Sequence, residues 1–290
     1  MGEHSHNGQS LRDVMAEKSA GFTRSERQLH AVILADYPFA ALRPIHELSD
    51  ISNVSAPSVS RFVAKMGYRG LQEFQQHALK ELRDAQSSPI ELRQSQPTAS
   101  GDLVSRYFSS AMALTEELAH RLPREQFDRI VDLLSDPRRR IFVIGGRMSD
   151  AIAGFFLRHL QQIRSDVHHI PQDSEVWPEY LLRLRSRDVV LILDFRRYDP
   201  RLTMLAKLVR GRGAQSIVVT DTWISPAAKG ARELICVPTD SGTLWDSYSA
   251  AFILIEALLV PLAEKDWDRT KNRIEAWDRL RMSAETETKS

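Results

Sequence analysis

The chain has few of the features that tie a protein to a membrane, an oxidising compartment or a metal. Its one cysteine, Cys236, excludes an intramolecular disulfide. That thiol suits a reducing cytoplasm and reads as a small core hydrophobe in the run Leu234-Ile-Cys-Val. No stretch approaches the ~18 consecutive apolar residues of a membrane span. The nearest, Ala250 to Leu262, is interrupted by Glu256 and Pro261. The start, Met1-Gly-Glu-His-Ser-His-Asn-Gly, lacks a signal-peptide core, so the expected location is the cytoplasm, with no membrane partner. His4 and His6 read as part of a frayed polar terminus. Charge of one sign is also missing: 39 basic residues face 38 acidic ones, for a net charge of +1. Any nucleic-acid contact must therefore rest on a local patch.

What is present is a globular composition, 42% hydrophobic and 27% charged over 290 residues, enough for one large or two modest domains. The expected organisation begins with a flexible N-terminus, residues 1–20, and a helical domain, residues 21–85. A Ser-, Gln- and Pro-rich linker follows at 86–102. A larger domain spans 103–282, and a disordered tail 283–290 ends the chain. In the larger domain helical patterns run from Leu103 to Leu134, divided at Pro123. Short apolar runs at Ile141, Val167, Asp188, Gln215 and Leu234 then alternate with helical stretches. That alternation predicts a five-stranded parallel sheet covered on both faces, closed by helices over 247–263 and about 266–281.

The stretch Arg43 to Phe74 carries the clearest partner signal. Ile45, Leu48 and Ile51 give a first helix one apolar face, and Asn53-Val54 breaks it. Ser55 is a good N-cap, Pro57 falls in the first turn, and Gly67 stops the second helix. Val59, Phe62, Val63 and Met66 form its inner face, which turns Ser58, Ser60, Arg61 and Lys65 outward. Small hydroxyls and a guanidinium at the start of an exposed helix suit phosphates and base edges in a major groove. From Ser55 to Leu71 the charges are Arg61, Lys65 and Arg69, with no acid. The expected DNA contacts are Ser55, Ser58, Ser60, Arg61, Lys65 and Arg69; the alternative is an ordinary helical hairpin with a solvated outer face.

The order Ser55…Ser58-Val-Ser-Arg-Phe, then Gly67-Tyr-Arg-Gly-Leu, resembles the N-terminal domain of the RpiR family of bacterial transcriptional regulators. That family's pattern is Val-Ser…Thr-Val-x-Arg-Phe-x-x-x-Leu-Gly-Phe-x-Gly. Thr23-Arg-Ser-Glu-Arg-Gln-Leu…Ile33-Leu-Ala-Asp-Tyr-Pro is similar to its first helices, while Pro57 departs from it. The resemblance implies an all-α helix-turn-helix domain followed by an α/β sugar isomerase (SIS) domain, here from about Arg138 to Glu264.

Ligands of open α/β sheets bind beyond the carboxyl ends of the strands. Gly145-x-Arg147-x-x-Asp150 lacks two of the three glycines of a dinucleotide fingerprint, and no P-loop, zinc constellation or nucleophile elbow occurs. No cofactor and no metal are expected; His159, His168 and His169 lack companions at ligand spacing. By resemblance to SIS domains, the first loop is Gly145, Gly146, Arg147, Met148, Ser149 and Asp150. The second loop, Ser-x-Ser-Gly-x-Thr in that family, here carries Asp194 and Arg196 at the serines, Arg197 at the glycine and Asp199 at the threonine. An ionised Asp194 would repel a phosphate, whereas arginines recognise carboxylate or phosphate in a planar, bidentate way. The expected effector is thus a small carboxylated, amino-acid-like metabolite in place of a phosphosugar. Its expected contacts are Gly145, Gly146, Arg147, Ser149, Asp194, Arg196, Arg197, Asp199, Thr220 and Thr243. Two other readings compete: Asp194 and Arg196 pair with each other or with Arg147 and Asp150, or the domain binds nothing and only dimerises.

The function expected is a DNA-binding regulator of a metabolic operon, not an enzyme. It would act as a homodimer or dimer of dimers, since one helix-turn-helix reads a half-site. The alternative is a SIS-type sugar-phosphate isomerase, for which Glu175, Asp246 and Glu256 are the acid–base candidates.

Overall fold

The computed structural model describes residues 10–35, 37–86, 90 and 102–287. The chain divides into two compact units, Met1–Ser87 and Ser88–Ser290. Except for residues 86, 90 and 102, the expected linker lies outside the described residues.

The first unit is helical: α1 (Leu11–Lys18), α2 (Arg24–Ala35), α3 (Ile45–Ser52), α4 (Ala56–Lys65) and α5 (Leu71–Gln86). The expectation of a loose start is corrected from Ser10 onward. Ser10 caps α1, whose Leu11, Val14 and Met15 are buried among Phe22, Leu29, Phe62 and Phe74. The anchor is Glu81 of α5, which accepts the Leu11 N–H at 2.6 Å. Asn53 ends α3 in the left-handed region, φ 52°, where asparagine is tolerated. Gly67, φ 98°, ends α4, and the Tyr68 N–H returns to the Val63 carbonyl at 3.3 Å. Val59, Phe62, Val63 and Met66 all point into the core as their spacing predicts. Ile51 does not: it is exposed, and Ser52 takes the buried place, its hydroxyl donating to the Leu48 carbonyl.

The second unit opens with α6 (Leu103–Arg121) and α7 (Arg124–Ser135), parted at Pro123. Five strands follow, β1 (Ile141–Gly145), β2 (Val167–His169), β3 (Val189–Leu193), β4 (Gln215–Thr220) and β5 (Glu233–Cys236). They pair in parallel in the order β2-β1-β3-β4-β5. Helices α8 (Asp150–Ile163), α9 (Trp177–Arg183) and α10 (Pro200–Gly211) supply crossovers, and α11 (Ser249–Glu264) and α12 (Trp267–Glu287) close the unit. Helix α12 carries the backbone to residue 287, into the stretch expected as the tail.

Because the sheet is covered twice, its strands are apolar on both faces. Val143, Leu191, Leu193, Ile217 and Val219 pack with α7, α8 and α11 through Ile130, Phe156 and Leu254. Phe142, Ile144, Val190, Ile192 and Val218 pack on the other face with Trp177, Leu202 and Leu205. Full burial of each such side chain contributes about 1.5–3 kcal/mol. Cys236 is half-buried, near the edge of this core and not inside it. From β1 the chain crosses to β2 on one side, whereas β3 lies on the other, so the β1 and β3 carboxyl ends form the switch-point crevice.

Candidate DNA-reading face and effector site

On α4 the buried stripe fixes which side chains face outward. Ser55, Pro57, Ser60 and Arg61 are exposed. Ser55 starts the helix in extended backbone but makes no side-chain cap; its hydroxyl lies 2.9 Å from that of Ser58. Among the described residues the Arg61 guanidinium donates only to the Ser58 hydroxyl, at 3.1 Å, and Ser60 donates to the Ala56 carbonyl at 3.3 Å. These weak local contacts leave Arg61 available to a larger anion.

Lys65 is differently placed. Its ammonium donates to the Gly21 carbonyl at 2.6 Å and to Glu26 at 2.8 Å, and lies over the Phe22 ring. Lys18 in turn donates to the Lys65 carbonyl at 2.8 Å. Lys65 thus ties the end of α4 to the first two helices. Glu26 also accepts from the Thr23 N–H, a capping box at the start of α2. Despite burial, the Lys65 and Thr23 hydrogen bonds hold the Glu26 carboxyl below its ordinary range. Arg69 is exposed; two of its guanidinium nitrogens donate to one Glu73 oxygen, at 3.2 and 3.0 Å, and its backbone N–H donates to the other at 2.6 Å.

At the strand ends, the first loop spends its donors inside the protein. The Gly145 N–H donates to Asp150 at 2.9 Å, and the Gly146 N–H to the Ser149 hydroxyl at 2.9 Å and the Leu193 carbonyl at 2.9 Å. Ser149, itself buried, donates to the Leu193 carbonyl at 2.6 Å. Asp150 also meets the His169 ring at 2.9 Å, while His168 stacks on Phe142.

The second loop folds inward in the same way. Asp194 is buried; one oxygen accepts from the Ser225 hydroxyl and the other from the Asp199 N–H at 3.3 Å. Burial pushes its carboxyl up to about 7, with the neighbouring Asp221 and Asp199 charges adding to the rise. Asp199 caps α10 by accepting the Arg201 N–H and pairs with the Arg201 side chain at 2.7 Å. Thr220 is buried and accepts the Ser225 N–H at 3.0 Å. Thr243 bonds within its own turn, to Ser241 and the Trp245 carbonyl, both at 2.9 Å.

Arg196 does not pair with Asp194. Its guanidinium lies flat on the Trp223 ring, 3.9 Å from the centroid, and its Nε is 3.3 Å from Asp246. That is ion-pair distance, yet the buried Nε has no hydrogen-bond partner. Beneath it, fully buried Asp221 accepts from the Arg196 N–H, the Tyr198 hydroxyl at 2.6 Å and the Trp223 N–H at 3.0 Å. Burial raises the Asp221 carboxyl to about 6 and the Tyr198 hydroxyl well above its ordinary range.

Two arginines remain open. Arg147 and Arg197 are exposed and, among the described residues, have no hydrogen bond or ion pair. Arg197 adopts φ 65°, the left-handed backbone that explains why its position in the related loop pattern holds glycine. The two loops adjoin: a Cβ built on Gly146 would lie 3.4 Å from an Asp194 carboxylate oxygen. Of the acid–base candidates, Glu175 and Glu256 are exposed on separate elements, and Asp246 is committed to Arg196. Sequence reasoning passed over Asp221, Trp223 and Ser225; the polar residues directly after the apolar run of β4 were the available signal.

Comparison with known proteins follows this division. Residues 10–85 match the family described as "Helix-turn-helix domain, rpiR family", and residues 133–261 match the SIS domain. The HTH-type transcriptional regulator HexR of Escherichia coli (strain K12) is 28% identical over 226 residues, 76% of this chain and 75% of that protein. The sugar isomerase domain of the RpiR transcription factor from Sphaerobacter thermophilus superposes with a TM-score of 0.57 at 18% identity. It covers 62% of this chain and 99% of its own. The Vibrio vulnificus NanR protein, solved with ManNAc-6P, has a TM-score of 0.55 at 17% identity over 95% of this chain and 99% of its own. With the helix-turn-helix domain ahead of a five-stranded SIS sheet, the chain belongs to the RpiR-type transcriptional regulators.

Proposed function

We propose that this regulator reads duplex DNA through the outer face of α4 and answers to a small carboxylated, amino-acid-like metabolite at the strand ends. Ser55, Ser58, Ser60 and Arg61 make the groove and phosphate contacts, with Arg69 reaching phosphate from the following turn. Lys65 positions the helix. Residues 86–102 join this domain to the effector and dimerisation domain, 103–282. The protein works in the cytoplasm as a homodimer or dimer of dimers, because one reading head covers one half-site.

The observation that carries the effector reading is the contrast between spent and unspent donors. A tetrahedral phosphate is cradled by many neutral N–H and hydroxyl donors. Here the N–H groups of Gly145, Gly146, Arg196 and Asp199 and the Ser149 hydroxyl all have acceptors within the protein. Arg147 and Arg197 stay open at the crevice, and planar guanidinium forks suit a planar carboxylate. Asp194 contributes differently from the expectation. Turned toward Ser225, it supports the loop from below, and its charge is not the feature that selects against phosphate.

No reaction is assigned to the domain: Glu175 and Glu256 are exposed on separate elements, and Asp246 pairs with Arg196. The phosphosugar bound by NanR defines the competing ligand class. Calorimetric titration with amino and dicarboxylic acids beside hexose 6-phosphates decides between them. Carboxylate binding that shifts operator affinity is the expected result; tight hexose-phosphate binding without carboxylate binding overturns it.

A further inference from the structure

We infer that Asp246 is a tethered anion standing where an effector's anionic group binds, and that the effector acts by displacing it from Arg196. The inference rests on the strand-end effector reading and adds how occupancy leaves the site. Three observations carry it. First, the Arg196 side chain is only 3% exposed, and its Nε lacks a hydrogen-bond partner despite the carboxylate 3.3 Å away. A buried guanidinium with an unfilled donor is a poor resting arrangement and a good receptor for a better-aimed anion. The Trp223 ring packs against the guanidinium carbon, and the Asp221 carboxylate accepts the Arg196 backbone N–H.

Second, the Thr239 hydroxyl is likewise buried without a partner. Thr239 begins the segment 239–248 that carries Asp246, and its carbonyl accepts the N–H of Ser247, the residue after Asp246, at 2.8 Å. Burial also raises the Asp246 carboxyl above its ordinary range, which marks the charge as costly where it sits.

Third, the same segment is pinned to the start of α6. Ser110 donates to the Ser241 carbonyl at 3.0 Å, and the Tyr107 hydroxyl lies 3.1 Å from that of Ser247. Residues 103–109, the first two turns of α6, are all exposed. Helix α6 directly follows, in sequence, the segment joining the two units. Displacing Asp246 therefore loosens 239–248 and releases the beginning of α6. That two-state element is biased by differential affinity alone.

The test uses the full chain and Asp246→Asn, which keeps side-chain volume and removes the charge. Without added ligand, hydrogen exchange at 239–248 and 103–110 should quicken at least about tenfold, with β3 unchanged. Inorganic phosphate and succinate are then titrated while tryptophan emission is followed. At least one should bind Asp246→Asn about fivefold more tightly than wild type, because the internal competitor is gone. Arg196→Gln should bind neither. A Tyr107→Phe, Ser110→Ala double variant cuts the tether alone; it should quicken exchange at 103–110 and leave anion affinity as in wild type. Should wild type bind an anion and Arg196→Gln lose it, while Asp246→Asn matches wild type in affinity and exchange, displacement fails alone. Binding of neither anion to wild type or Asp246→Asn overturns displacement and the effector reading together.

Discussion

The outer face of α4 and the strand-end loops are both rich in charge and hydroxyls, but they dispose of them in opposite ways. On α4 the polar groups sit on a regular helix whose other face is buried, so among the described residues Arg61 meets nothing stronger than Ser58. At the strand ends most polar groups are consumed by one another: Asp194 by Ser225, Asp221 by Tyr198 and two N–H groups, Ser149 by Leu193. On the proposed reading, the surface that meets a large external polyanion keeps Arg61 in water, while Lys65 and Arg69 are held by Glu26 and Glu73. On the same reading, the crevice that senses a small solute first satisfies itself and leaves Arg147 and Arg197 for the ligand.

The comparison breaks most visibly through the two cores. Phe62→Ala and Phe156→Ala each remove a fully buried ring and should cost about 3–5 kcal/mol. Each unit has its own core, so calorimetry should show Phe62→Ala lowering one transition and Phe156→Ala the other. A single transition lowered equally by both would mean that the units do not unfold separately.

Next in size is Arg61→Ala. Operator affinity should fall by about 1–3 kcal/mol, roughly 5- to 150-fold, and the salt slope should drop by about one. Fluorescence anisotropy at several salt concentrations checks both. An unchanged slope would move phosphate contact away from this face.

Then comes the charge buried at the strand end. Burial lifts the folded Asp194 carboxyl to about 7, above the ordinary value of about 3.9. Between those values the folded state holds a proton that the unfolded chain has released, so stability falls as pH rises through that window. In Asp194→Asn this part of the slope is absent. Relative to wild type, the variant should gain on the order of 1 kcal/mol between pH 5 and pH 8 in denaturant titrations. A constant difference would mean that Asp194 titrates normally.

Lys65→Met should have the smallest effect. Losing a partly exposed ion pair costs about 0.5–1 kcal/mol of stability. DNA affinity should drop modestly with the salt slope intact, because the ammonium serves Glu26 and Gly21 and not phosphate. A slope reduced as in Arg61→Ala would return Lys65 to the DNA contacts.

These contrasts also explain what the sequence disclosed. The five strands were legible because apolar runs bounded by turn residues leave little choice, and the α4 core because Val59, Phe62, Val63 and Met66 repeat at helical spacing. Helix α1 was hidden: it is a short helix of eight residues, half of them polar, whose anchor is Glu81, seventy positions away. Lys65 and Arg61 look alike in a row of letters, and only the fold brings Glu26 to one of them. Asp194 was read as facing a ligand because Ser225, its actual partner, arrives on a different strand's loop. Positions on periodic elements declare their direction; loop side chains take theirs from neighbours that only tertiary structure supplies.

Arg197 holds two properties in tension. Its left-handed backbone costs a residue with a side chain about 1–2 kcal/mol, and glycine would relax it. Yet the same twist lifts the guanidinium out of the loop into solvent. Replacement by glycine would thus firm the backbone and remove one of the two open cations on which the proposed effector site rests, two outcomes of opposite sign from one side chain.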